Sequence, residues 1–295
     1  MRKHRITGQA GTQGRRLMVA TALMALAAMG IASSAIAQPK GGYAVFAQCP
    51  VHGENVNGCI YSPTTSGYIT LGKQEVPIVK TQVLQGGTLR ETEPFVKHLA
   101  GALNGETLTK TQQKVPGGLL GLVKCNEIGN IILRITCELT FENGVTGVNA
   151  VTELAAPPSS VVLNTAAEQL GEGTALTLPI KVHLENPLLG SECYIGSNRE
   201  PITLNLTTGA TTGGPTGKPG TKKTKEEGGI AEISGISLVS NTFTAPKATG
   251  CGLLGLLDGI IDSKIGLPSA AGKNVAVLNG KVELASSELV EESEG

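Results

Sequence analysis

The chain has 295 residues, with 24 Lys and Arg against 24 Asp and Glu, no Trp, four Phe and four Tyr. A core must therefore be built from Val, Leu, Ile and Ala, and a carbohydrate site walled by stacked aromatic rings is disfavoured. Five basic residues and no acid lie in the first 37 positions, so the remainder carries 19 basic against 24 acidic residues, a net charge of −5 that opposes nucleic-acid binding.

Residues 1–37 read as a signal peptide. Arg15 and Arg16 precede the uncharged run "LMVATALMALAAMGI", which is shorter than the roughly 20 residues of a spanning helix. Ala35 and Ala37 supply the small side chains of an A-x-A site, so cleavage is expected after Ala37. No spanning segment would remain, and the expected location is extracellular or at the cell surface, with a cell-envelope or protein partner.

Short strands with Gly, Pro and Asn-Gly punctuation follow, starting with "GYITL" and "VPIVKTQVL". In "IILRITCELTF" (131–141), apolar residues alternate with Arg134, Thr136, Glu138 and Thr140, which predicts a half-buried strand, with a helix as the rival. It would run into an Asn143-Gly144 turn and return along "VTGVNAVTEL". A boundary is placed near Pro157-Pro158, dividing β-rich regions 38–156 and 157–295. "LTLPIKVHLEN" (176–186) alternates cleanly, and Pro179 favours an edge or a bulge because it cannot donate to a ladder. "PITLNLT" (201–207) is the next strand. Residues 207–229, rich in Thr, Gly, Pro and Lys, are expected to form a mobile loop, and the lysines from 218 to 225 to be solvated. "GIAEISGISLVS" and "NVAVLNGKVELAS" read as strands, the latter with a turn at Asn279-Gly280, and the acidic "ELVEESEG" is expected to end in solvent. "CGLLGLLDGIIDSKIG" (251–266) suggests a short helix. It shares Gly-Leu-Leu-Gly-Leu with "VPGGLLGLVKC" (115–125), an echo that fits either an internal duplication or two core-filling segments. The fold class is mainly β, an antiparallel sandwich or barrel-like arrangement in one large or two similar domains, with one or two short helices.

Six cysteines, Cys49, Cys59, Cys125, Cys137, Cys193 and Cys251, fit a disulfide framework in an exported protein. Six cysteines allow 15 pairings; neighbourhood suggests 49 with 59, 125 with 137, and 193 with 251. Cys49, His52 and Cys59 offer three zinc ligands, but no second close pair completes a tetrahedral site, so neither a metal nor a cofactor is expected. After the leader only His52, His98 and His183 remain, without a Gly-x-Ser-x-Gly elbow, a Ser-x-x-Lys pair or a His-Glu-x-x-His helix. No catalytic residue is assigned. The rival to a structural or binding role is a secreted hydrolase whose site assembles near His98 or His183, with a carboxylate and a hydroxyl in reach. Asp258 and Asp262, one helical turn apart, could serve acid–base or calcium chemistry but read more simply as a solvated helix flank.

"NPLLGSECYIGSNREPITLNLTTG" (186–209), "NTFTAPKATGCG" (241–252) and "GLPSAAGKNVAVLNG" (266–280) resemble the motifs of an uncharacterised family of secreted proteins from actinomycetes and related high-GC bacteria. "VPGGLLGL" and "TELAAPPSSVVLNT" are similar to the same group, whose members often carry a Pro-rich run where this chain has "TGGPTGKPGTKK". The resemblance implies export and a shared fold with Cys193 and Cys251 as fixed partners. It implies no activity, ligand or catalytic residue.

Overall fold

The computed structural model describes residues 37–123, 125–142, 146–225 and 228–294. The expected signal peptide, apart from Ala37, and the expected Asn143-Gly144 turn lie outside the described residues.

A 3-10 turn, Gly41–Phe46, leads into β1 (Val56–Leu71), β2 (Gln74–Pro77), β3 (Gln82–Leu89), β4 (Val96–Ala100) and β5 (Gln112–Lys114). Helices α1 (Gly118–Leu122) and α2 (Ile131–Glu142) separate these from β6 (Asn149–Leu154) and β7 (Val162–Asn164). Helix α3 (Thr165–Leu170) precedes β8 (Leu176–Glu185), β9 (Tyr194–Ile195), β10 (Ile202–Leu206), β11 (Thr221–Thr224), β12 (Ala231–Ser240) and β13 (Ala248–Thr249). Helix α4 (Asp258–Ile265), β14 (Val275–Ser286) and α5 (Ser287–Glu292) complete the chain.

The fold is mainly β and antiparallel. Its main path runs β11-β12-β14-β1-β3-β4-β7-β8-β6-β5, with β2 on β1, β10 and β9 on β8, and β13 on β9. The path ends at β11 and β5 and does not close into a barrel. It folds back on itself, so that β10 lies against β12 and β2 against β5, enclosing an aliphatic core that includes Ile60, Leu99, Ile180, Ile202 and Leu204. Strands from either side of Pro157-Pro158 pair with one another, β1 with β14 and β6 with β8, within one unit, Ala37–Gly295. Among the described residues there are five α-helices, more than the one or two expected.

The expected strand at 131–141 is helix α2. Its first turn is capped by Asn130, whose Oδ1 accepts the N–H groups of Ile132 (3.0 Å) and Leu133 (3.3 Å), satisfying donors that a helix start leaves unpaired. Leu133 and Cys137, four residues apart, share the buried face, while Ile131, Ile132, Ile135 and Leu139 are exposed. The disulfide Cys125–Cys137 anchors that inner face to the preceding turn. Alternation of apolar residues cannot separate a strand from a helix whose outer face also carries apolar side chains, and the cap and cross-link decide the matter.

Residues 207–229 are not a free loop. Thr207 exchanges two backbone hydrogen bonds with Val239, Lys218 does so with Ser237, and β11 pairs along β12. All four β11 side chains are exposed, because an edge strand is held by backbone bonds and needs no apolar residues. Nor is Asn279-Gly280 a turn. β14 is continuous there, and the extra residues sit in its neighbours, between Thr64 and Ser66 of β1 and between Ser234 and Ile236 of β12. A Cβ at position 280 would lie 2.0 Å from the Pro63 carbonyl oxygen, so glycine is required by the close approach of β1. The acidic end folds into α5, with Val290 fully buried and the Ser293 carbonyl accepting the Lys40 N–H, rather than ending in solvent.

Pro179 lies within β8, which is paired on both sides, rather than in an edge strand. Its carbonyl accepts the Ala155 N–H at the point where β6 ends and β7 has not begun, so its missing donor falls in a gap in the ladder.

Two polar clusters order the frame. Asn274, with no exposed surface, accepts from Gly72 N–H (2.9 Å) and Ser269 Oγ (2.5 Å) and donates to the carbonyls of Phe243, Ser269 and Ala270. Glu283, also fully buried, is paired by Lys225 and by Lys281 (2.5 Å), and Lys281 also reaches Glu232 at 3.2 Å. Burial alone would raise the Glu283 carboxyl, but hydrogen bonds from the two lysines outweigh it and hold the group below its ordinary 4.5. A depressed carboxylate contributes stability that is full above its ordinary value and is lost as pH falls toward the depressed one. Glu283→Gln is expected to cost about 3 kcal/mol at neutral pH, because two lysines lose the buried carboxylate they share and keep only Glu232. Urea denaturation at pH 7 and pH 3 checks this: the gap between variant and wild type should narrow at pH 3.

Candidate functional site

All six cysteines are joined, Cys49–Cys59, Cys125–Cys137 and Cys193–Cys251. Cys49 and Cys59 are therefore not available as thiolates beside His52, whose ring nitrogens lie 3.3 Å and 3.6 Å from Glu291 and Glu294 of the C-terminal segment. Among the described residues no cluster of three or more metal-ligating side chains forms. The three disulfides close loops spanning 10, 12 and 58 residues. Loop-closure entropy sets their contributions at about 3 kcal/mol for the two short loops and about 4 kcal/mol for the long one.

Cys193 immediately precedes β9 and Cys251 follows β13, and these two strands pair with each other, so the bond closes the end of a ladder. Asp258 supports the same place. Its carboxylate accepts the N–H groups of Cys251 (2.7 Å) and Gly250 (3.2 Å). Asp262 accepts from Ala248 N–H at 2.7 Å. Burial pushes the Asp262 carboxyl up, opposed by that hydrogen bond. The two aspartates thus bind backbone, and their spacing serves to dock α4 on β13.

His183 is brought beside a carboxylate and a hydroxyl residue: it lines an open hollow together with Glu185 and Ser191. The geometry is not that of a nucleophile and base. His183 Nδ1 is 3.8 Å from Glu185, whose other oxygen accepts from Gln112 at 2.7 Å. Nε2 is buried with no hydrogen-bond partner, so Ser191 does not bond to it. The ring stacks on its cross-strand neighbour Tyr194, centroids 4.4 Å apart, with the Lys181 ammonium 4.7 Å over the Tyr194 ring. His98 is spoken for as well, its Nδ1 lying 2.7 Å from the Ser159 carbonyl. Of the basic stretch, Lys225 is committed to Glu283, while Lys222 and Lys223 stand on the exposed edge strand β11.

The two Gly-Leu-Leu-Gly-Leu segments have different fates. In α1, Leu119 and Leu122 are buried. In the second, only the following Leu257 is buried, while Leu253, Leu254 and Leu256 are exposed, Leu254 at 92%. Leu254 also has φ +55°, the left-handed region that a branched side chain rarely occupies. Ile131, Ile132, Ile135 and Leu139 on the outer face of α2 are exposed too. A Lys264–Glu127 ion pair (4.0 Å) ties α4 to the turn that the Cys125–Cys137 bond joins to α2, so both sets of side chains lie on linked elements. The composition made these leucines visible in the sequence; their exposure was not.

A second apolar feature has no signal in the sequence. Where β1 and β2 face β6 and β8, a small aliphatic cleft of about 40 Å3 lies beneath α1 and α4.

Asp258→Ala is expected to lower stability by about 2 kcal/mol, since two backbone donors lose their acceptor. Asp258→Asn, which keeps an acceptor oxygen, should lose less than half as much in the same urea titration.

No protein-family model, curated protein or solved structure matches this chain.

Proposed function

We propose that the protein is exported and serves a non-catalytic binding role at the cell surface, where its helical end meets the lipid of the cell envelope. The observation that carries this reading is the turn at Leu253, Leu254 and Leu256. Three leucines are held out to solvent on a strained backbone, on a segment whose base is fastened by the Cys193–Cys251 bond and by Asp258. An exposed aliphatic surface costs solubility and strain costs stability, so both point to a contact made outside the chain. The turn carries none of the Tyr, Trp or Arg that dominate protein–protein hot spots, α2 adds half-exposed Arg134 beside its exposed isoleucines and leucine, and Leu and Ile side chains are suited to an acyl environment. Disulfides throughout the frame accord with an oxidising compartment. The resemblance of residues 186–280 to secreted proteins supports the same location.

Protein recovered from the host's wall and medium should begin at Gln38 and show no thiol reactive to a chromogenic disulfide reagent without reductant. Three or more reactive thiols would overturn the disulfide-locked reading.

Wild-type protein is expected to float with vesicles of envelope phospholipid. Leu254→Glu and Ile132→Glu should each reduce the bound fraction about ten-fold, by placing a charge in the apolar contact, while moving the melting temperature by no more than about 2 °C. Retention in the wall fraction after lipid extraction would instead indicate a protein or wall partner and overturn the lipid reading.

A further inference from the structure

We propose that residues 207–220 form a strap whose closure over β12 depends on protonation of Glu168, so that the strap is shut in acid and loosens as pH rises. Glu168 of α3 has only 2% of its surface exposed, and its Oε1 is buried with no hydrogen-bond partner. A buried carboxylate is ordinarily paired, as Glu283 is by two lysines. Among the described residues no ion pair reaches Glu168; Lys222 of β11 attracts it without forming one.

What Glu168 touches is the strap. Thr208, itself fully buried, donates its hydroxyl to the Glu168 carbonyl at 2.6 Å, and the Gly220 N–H lies against the Glu168 carboxyl. One residue of α3 therefore holds both ends of the strap. Between those ends the Gly217 N–H donates to the Gly209 carbonyl at 2.7 Å, and Lys218 exchanges two backbone bonds with Ser237 of β12. Gly220 lies on two buried isoleucines of the same strand: an added Cβ would stand 2.6 Å from Ile233 Cγ2 and from Ile236 Cγ1. Opening the strap would uncover these side chains and unpair Ser237, leaving a bare sheet edge.

Burial pushes the Glu168 carboxyl above its ordinary 4.5, opposed by Lys222 and by the Gly220 N–H. The other charges on the packed elements are placed elsewhere. Lys218 of the strap and Lys223 of β11 are exposed, as is Glu172 beyond α3, and Glu232 of β12 is engaged by Lys281. An acid held above its ordinary value contributes stability that is full below that value and is lost as pH rises through the raised one. Because Thr208 and Gly220 cover the group, opening the strap hydrates the carboxylate without unfolding the frame.

Hydrogen exchange of the disulfide-intact protein, followed by mass spectrometry and corrected for the intrinsic rate at each pH, tests this. Between pH 4 and pH 8, peptides spanning 207–220 are expected to lose about ten-fold protection while those of β14 keep theirs. Glu168→Gln, neutral at every pH and of the same shape, should retain at pH 8 the protection seen at pH 4. Lys222→Gln alters an exposed side chain. It should leave protection at pH 4 unchanged, lower it about three-fold further at pH 8, and have no effect in the Glu168→Gln background. Strap protection that does not vary with pH, or a pH dependence that survives Glu168→Gln, overturns the proposal. So does a Lys222→Gln effect of equal size at both pH values, and that comparison decides the matter alone if Glu168→Gln does not fold.

Discussion

One buried amide holds together parts of this protein that lie far apart in the chain. Asn274 binds the turn between β1 and β2 through Gly72, and the segments at Phe243, Ser269 and Ala270 through its other contacts. Without the amide the Gly72 N–H and the Phe243 carbonyl would lose these bonds, while the Ser269 and Ala270 carbonyls would keep only those from Ala245 and Lys273, and buried groups cost far more unpaired than they return when paired. The position of the β1–β2 turn, and with it one wall of the cleft, thus depends on a side chain 202 residues away. The motifs spanning 241–252 and 266–280, notable in the sequence for their small and polar residues, are the shell built around this amide.

The second constraint is the continuity of β14. It lies between β1 and β12, and both neighbours carry a register shift opposite Gly280. Two bulges facing one glycine bend the sheet at a single place, so that it curls without breaking the ladder. The same strand carries Glu283, whose burial among two lysines is stable only while it stays ionised. The frame is in this way joined by polar contacts at points where its aliphatic residues could not specify register.

At the helical end the arrangement is reversed. Disulfides and aspartates tie the backbone down, while leucines and isoleucines that would ordinarily be buried face outward. Rigidity is useful there: a surface already ordered loses little conformational entropy when it meets a partner. The histidines and the paired aspartates, weighed in the sequence as candidates for chemistry without being assigned to it, contact neighbouring elements of the frame.

The class of the fold was legible because period-2 alternation over 176–186 and 201–207 reports a half-buried strand directly. Neighbouring cysteines were also readable, since short separations limit where a partner can lie. Alternation misled at 131–141, because the outer side of the helix carries isoleucines and a leucine as well as polar residues, which breaks the helical period; the Asn130 cap was the overlooked local signal. Asn279-Gly280 has the composition of a turn, yet its conformation is set by the approach of Pro63, 217 residues earlier. Local sequence determined which segments could pair and which residues were apolar. Only the tertiary structure decided which apolar residues remain outside and where an aliphatic gap is left, because exposure and packing depend on how distant strands meet.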